Sequence, residues 1–151
     1  MKKAYSKNGD TGFTRGLSGR RLAKDDARIV AAGKIDALQS AMDLALLDAK
    51  GPARAMLREV QDKLWQEIGP RDLRRIEDFI DLLGEPPKGF LRFDRPLAAA
   101  YNECRVRCRD LESACTGLLR AKKMRPAAYA YLNRLSSLFF MLAYRASGRK
   151  S

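Results

Sequence analysis

The stretch "PLAAAYNECRVRCRDLESACTGLLRA", residues 96–121, opens with a proline and then runs on with one glycine, Gly117, near its end. Pro96 suits the first position of a helix, where its missing N–H has no intrahelical partner to lose. Leu97, Tyr101, Cys104, Cys108, Leu111, Cys115 and Leu118 recur at i, i+4, i+7 and so share one face of a 3.6-residue helix. Beside that apolar seam, Arg105, Arg109 and Glu112 repeat the same spacing as a polar stripe. The segment therefore reads as one long helix with a core face and a charged face. The three cysteines belong to the core face. A CxxxC pair can bind metal, but with no histidine in the chain to complete a ligand set, small core residues are the better reading.

The same punctuation extends in both directions. Asp25 and Asp26 are good caps for a helix running to about residue 48, with Ile29, Ala32, Ile35, Leu38, Met42, Ala45 and Leu46 at helical spacing. Gly51-Pro52 closes it and opens a second, whose inner face is Met56, Leu57, Val60, Leu64, Trp65 and Ile68. Gly69-Pro70 opens a third, marked by Leu73, Ile76, Phe79, Ile80 and Leu83. "GEPPKGFLRFDRP", residues 84–96, is too rich in Pro and Gly for regular structure. Arg125-Pro126 opens a fifth helix, to about residue 146. Nothing reads as a strand. The prediction is an all-α bundle of five helices, with a loop segment over residues 1–24 and a helical domain over residues 25–148.

A net charge of +12 on 151 residues asks for a polyanionic partner without choosing it. No apolar run is long enough to span a membrane, and the N-terminus lacks the apolar stretch of a signal peptide. Together with an odd number of cysteines, this predicts a cytoplasmic protein with reduced thiols. The absence of histidine excludes a Ser-His-Asp triad, a Cys-His pair and His-ligated zinc or haem. Arginines, lysines and carboxylates must then carry any chemistry, by positioning and electrostatics.

Residues 8–28, "NGDTGFTRGLSGRRLAKDDAR", supply what a triphosphate needs. Gly9, Gly12, Gly16 and Gly19 allow exposed backbone N–H groups, Thr11, Thr14 and Ser18 offer hydroxyls, and Arg15, Arg20, Arg21, Lys24 and Arg28 offer charge. The GxxxxGK[ST] spacing of a Walker A loop is absent, and a basic tail is the plain alternative. Two further positions draw attention. Asn133 stands amid apolar residues in "YLNRLSSLFFMLAYRA", which predicts a buried amide. Asp36, between Ile35 and Leu38, predicts a buried carboxylate facing Arg105 or Arg109.

These blocks, in this order, resemble the PduO-type ATP:cob(I)alamin adenosyltransferases, which are trimeric five-helix bundles. The family's Y-[ST]-x-[TS]-G-D-x-G-x-T and G-x-R-[VL]-x-K-x-D-x-R are similar to "YSKNGDTGFTRGLSGRRLAKDDAR". Its Y-G-x-[VI]-D-E-L-N-[SA] resembles "AGKIDALQSA", its R-x-x-x-R-R-x-E-R resembles "RVRCRDLES", and its Y-L-N-R-L-S-D-L-[LF]-F resembles "YLNRLSSLFF".

The resemblance implies that Gly9, Asp10, Gly12, Thr14 and Arg20 wrap ATP, with Lys24 on its phosphates and Arg109, Glu112 and Asn133 completing the nucleotide site. It implies an Asp36–Arg105 salt bridge across the subunit contact of a homotrimer, whose active sites lie at the interfaces. Lys24, Asp36, Arg105 and Arg109 are then the catalytic set, and Phe90 is the aromatic that covers the lower face of the corrinoid. Mg²⁺ would accompany ATP, with no metal ligand from the protein. The implied reaction moves the 5′-deoxyadenosyl group of ATP to the cobalt of a reduced corrinoid such as cobalamin and releases triphosphate.

The chain departs from the pattern at Asn8, Ala37, Gln39, Asp110, Ser113 and Ser137, and Arg92-Phe93-Asp94 stands where Pro-Gly-Gly is usual. A non-catalytic nucleotide- or corrinoid-binding relative is therefore the alternative. A basic nucleic-acid-binding helical protein rests on charge alone.

Overall fold

The computed structural model describes residues 3–16, 18–89 and 91–148. Its helices are α1 (Ala27–Asp48), α2 (Gly51–Lys63), α3 (Pro70–Leu82), α4 (Pro96–Arg120) and α5 (Pro126–Ala146). Proline stands at the first or second position of α2, α3, α4 and α5, so the punctuation in the sequence set their starts. Asp26 caps α1: its side chain accepts from the Arg28 N–H at 2.9 Å, and the Arg28 guanidinium grips both carboxylate oxygens at 2.9 Å. At α3, the Gly69 N–H donates back to Asp72 Oδ2 at 2.8 Å, satisfying an end group that has no helical partner.

Two packing relations organise the bundle. α4 lies against both α1 and α5, and α3 lies on the outer side of α5. Fully buried side chains from α1 (Leu38, Met42), α2 (Leu57, Val60), α4 (Cys104, Cys108) and α5 (Leu135, Phe139) meet in one core. All three thiols are free and buried, as the seam implied. The Cys108 thiol donates to the Leu132 carbonyl at 3.2 Å. Burial pushes the Cys104 thiol up to about 12, so it stays protonated and inert. Among the described residues, no group of Cys, Asp or Glu could hold a metal ion, and no helix is long and apolar enough to cross a membrane.

The N-terminal segment corrects the expectation of no strands. β1 (Phe13–Arg15) and β2 (Arg21–Ala23) form an antiparallel hairpin pairing Phe13 with Ala23, Thr14 with Leu22 and Arg15 with Arg21. Strands of three residues are too short for alternation to show in sequence. The glycines close the loop instead: the Gly16 N–H donates to the Arg20 carbonyl and the Gly19 N–H to the Gly16 carbonyl, both at 2.9 Å. A 3-10 turn, Lys7–Gly9, precedes the hairpin.

Trp65 also departs from its predicted inner position. It is 45% exposed, just past the end of α2, while Met56, Leu57, Val60, Leu64 and Ile68 are buried as predicted.

Candidate functional site

Three places bring the sequence-predicted residues together. At the N-terminal segment, the Lys24 N–H donates to the Gly12 carbonyl at 2.9 Å, which folds the end of β2 back on the loop. The Lys24 ammonium lies against Gly9, where an added Cβ would stand 3.1 Å from Nζ. Gly12 has a φ of +77°, which favours glycine. Gly9 and Thr14 are half-buried, and Asp10 and Gly12 are exposed. Arg21 braces the loop, donating to Thr11 Oγ1 at 3.3 Å and stacking on Phe13 at 4.7 Å. Arg20, the arginine singled out by sequence, is exposed and contributes its carbonyl to the hairpin turn.

At the second place, Asn133 Nδ2 on α5 donates to Glu112 Oε1 on α4 at 3.0 Å. Arg134 donates to Asn133 Oδ1 at 3.2 Å and to Glu77 Oε1 on α3 at 2.8 Å, so a polar chain ties three helices together. The pairing of Asn133 with Glu112 agrees with the predicted site, but the predicted burial does not. Asn133 is exposed on this chain. Its apolar neighbours in sequence turn inward, as Leu132 and Leu135 do, and leave the amide on the outer face.

The third place is a groove of about 410 Å³ between α3, α4 and α5. Arg105 and Arg109 stand on one wall, and Ser136, Ser137, Phe140 and Met141 of α5 form the floor. Ile80, Asp81, Gly84 and Pro86 close the far side. Arg105 Nε donates to Asn102 Oδ1 at 2.9 Å. Arg109 makes no ion pair or side-chain hydrogen bond with another described residue, so its guanidinium is available. Of the floor residues only Ser137 was singled out by sequence, although Asn133, Ser136, Ser137 and Phe140 follow helical spacing and mark one face of α5.

Asp36 is not in that groove. It is exposed and lines a separate, acidic depression between α1 and α2, with Asp43, Asp62, Gln39, Gln61 and Trp65. The predicted burial of Asp36 is thus corrected, and within one chain it does not meet Arg105. Phe90 lies outside the described residues. Asp110 turns toward α1 and pairs with Lys34 at 2.6 Å. Gln39 donates to the Gln61 carbonyl at 2.8 Å. Neither Asp110 nor Gln39 contacts the arginine groove, whereas Ser137 lines it.

The described chain is a five-helix bundle with a short N-terminal hairpin, and it sets cations against glycine backbone in one place and beside a partly apolar groove floor in another. The chain belongs to the cobalamin adenosyltransferase family, which residues 4–146 match. It is 31% identical to a cobalamin adenosyltransferase of Cupriavidus metallidurans, over 95% of this chain and 87% of that one. It is 29% identical to a corrinoid adenosyltransferase of Citrobacter freundii, over 95% and 94%. Among solved structures it resembles a variant of the PduO-type ATP:corrinoid adenosyltransferase of Lactobacillus reuteri, complexed with cobalamin and ATP. The TM-score is 0.84 at 25% identity, covering 97% of this chain and 94% of that chain.

Proposed function

We propose that this protein transfers the 5′-deoxyadenosyl group of ATP to the cobalt of a reduced corrinoid, releasing triphosphate. The observation that carries the reading is the groove holding Arg105 and Arg109 above Phe140, in a chain of this family. Cobalt(I) supplies the electron pair that forms the bond to C5′, and the C5′–O bond breaks with its pair going to the triphosphate. No side chain has to act as a base, in keeping with a chain that has no histidine. The glycine loop and Lys24 hold the phosphates, Arg109 meets the charge that develops on the leaving group, and Glu112 and Asn133 fix the nucleoside. Phe140 and Met141 give the macrocycle an apolar bed. Mg²⁺ would accompany ATP and supply countercharge to its phosphates.

The site is completed between subunits. Lys24 and Arg109 stand on separate parts of the fold, and the hairpin and its 3-10 turn pack mainly on one another. Val30, Leu44 and Leu47 leave apolar surface exposed along α1. The acidic depression around Asp36 complements the arginine groove, and such a head-to-tail contact closes into a ring. A homotrimer in which Asp36 of one protomer meets Arg105 of the next accounts for all three observations. The protein acts in the cytoplasm, where reduced corrinoid and ATP coexist.

Anaerobic spectroscopy tests the reading: cob(I)alamin, ATP and Mg²⁺ must yield adenosylcobalamin. ATP and corrinoid binding without that product would establish the second reading, a binding-only relative, which Ser137 in the groove favours because the family pattern has aspartate there.

A further inference from the structure

α3 ends at Leu82, and its last carbonyls need donors. Arg145, in the last turn of α5, reaches across to supply them. Its Nε donates to the Leu83 carbonyl at 2.6 Å, and its Nη2 donates to the same oxygen. The guanidinium then lies over Gly84, where an added Cβ would stand 2.5 Å from Nη2. Gly84 has a φ of +83°, which favours glycine, and a side chain there would have to displace the guanidinium.

The far end of the same connection also sets an arginine against a glycine. The Arg95 guanidinium lies over Gly148, just past α5, with Nη1 2.6 Å from where a Cβ would be. Between these ends, Phe93 meets Phe140 edge-on with ring centroids 6.3 Å apart. The α3–α4 connection is thus tied to α5 by the Arg145 hydrogen bonds, and it touches α5 again through Phe93. Two of its residues, Gly84 and Pro86, form the wall of the groove that faces Arg105 and Arg109.

We propose that Arg145 is a positioning residue for the corrinoid: by clamping the Leu83 carbonyl and covering Gly84, it sets the wall that borders the macrocycle's bed. It acts through the wall and touches neither ATP nor cobalt. Two N–H groups on one carbonyl oxygen fix the direction of the chain as it leaves α3, which a single donor does less well. Arg145 is itself exposed, so truncating it leaves the core packing in place. This inference rests on the groove being the corrinoid's seat.

The test combines steady-state adenosylation, with cob(I)alamin and ATP varied separately, and amide hydrogen exchange on the protein alone. Arg145→Ala is expected to raise KM for cob(I)alamin about tenfold, the effect of losing a charged hydrogen bond to a backbone carbonyl. KM for ATP should stay within about twofold. Arg145→Lys, which keeps one donor, should recover part of the loss, and Gly84→Ala should reproduce it by displacing the guanidinium. Amides of residues 84, 85, 88 and 89 should exchange faster in Arg145→Ala while those of α1 and α4 do not. Equal rises in both KM values, no recovery in Arg145→Lys, or unchanged exchange at those amides would each overturn the proposal. A wild-type protein that makes no adenosylcobalamin would instead defeat the adenosyltransferase reading. The exchange measurement would then still decide whether Arg145 holds the wall.

Discussion

Arg109→Ala separates stability from ligand binding more cleanly than any other change at the site. Arg109 is exposed on α4 and makes no ion pair or side-chain hydrogen bond with another described residue. Arginine and alanine are both good helix formers, so the substitution should alter folding stability by no more than about 0.5 kcal/mol. Binding is different, because the guanidinium lines the arginine groove without an ion pair to another described residue. A charged hydrogen bond contributes about 1.5–3 kcal/mol when formed, which corresponds to roughly 10- to 150-fold in affinity. Urea unfolding should therefore give nearly coincident midpoints, while calorimetric titration with ATP and Mg²⁺ should show the large loss. Arg109→Lys should fall between, keeping the charge but losing the planar fork. A stability loss above about 1 kcal/mol would reveal a structural contact and refute the separation. Unchanged ATP affinity would remove Arg109 from the nucleotide site.

Lys122 is the one described non-glycine residue at positive φ, +55°, where it ends α4. Lys122→Gly should relieve about 0.5–1 kcal/mol of strain and raise Tm by roughly 1–4 °C in calorimetry; a fall in Tm would contradict that account. Arg28 holds the Asp26 carboxyl well below the usual carboxylate range, chiefly through its side-chain hydrogen bonds. A depressed folded-state pKa contributes stability above the unfolded value of about 3.9 and loses it as pH falls through the folded value. Asp26→Asn should therefore be less stable than wild type at neutral pH, with a gap that narrows below about pH 4; chemical unfolding that finds a constant gap would reject the ion pair as the cause. Asp36→Arg or Arg105→Asp should each disperse the proposed trimer in light scattering, and the double charge swap should restore it. A monomeric wild type, or no recovery in the swap, would rule out that contact.

The helix boundaries were legible because proline and glycine act locally. Pro52, Pro70, Pro96 and Pro126 each stand within the first two positions of a helix. The cysteine seam was legible because one period runs through most of α4. The hairpin was not, since each strand has three residues and its turn depends on backbone bonds between Gly16, Gly19 and Arg20. Asn133 and Asp36 show a different limit. Periodicity reports that a residue has apolar neighbours along the chain, but those neighbours can all turn inward and leave it on the surface. Leu132 and Leu135 do so around Asn133, and Leu38 does so beside Asp36. The Lys34–Asp110 pair and the Arg145 clamp join residues 76 and 62 positions apart, beyond the reach of any local pattern. The groove lay between these cases: its arginines were visible as a stripe, but its opposite wall needed the fold.

No described residue from 3 to 30 is buried, and the first buried side chain is that of Ala31. Cooperative unfolding of the bundle is driven by buried apolar surface, so the N-terminal hairpin should open independently of the helices. Its order is set by local backbone bonds and by whatever it grips. If the segment grips ATP as proposed, it is a built-in gauge of occupancy: Arg15, Arg20 and Arg21 offer trypsin exposed cleavage points on a hairpin. Protection of those bonds would track ligand concentration while the helices behind them stay intact.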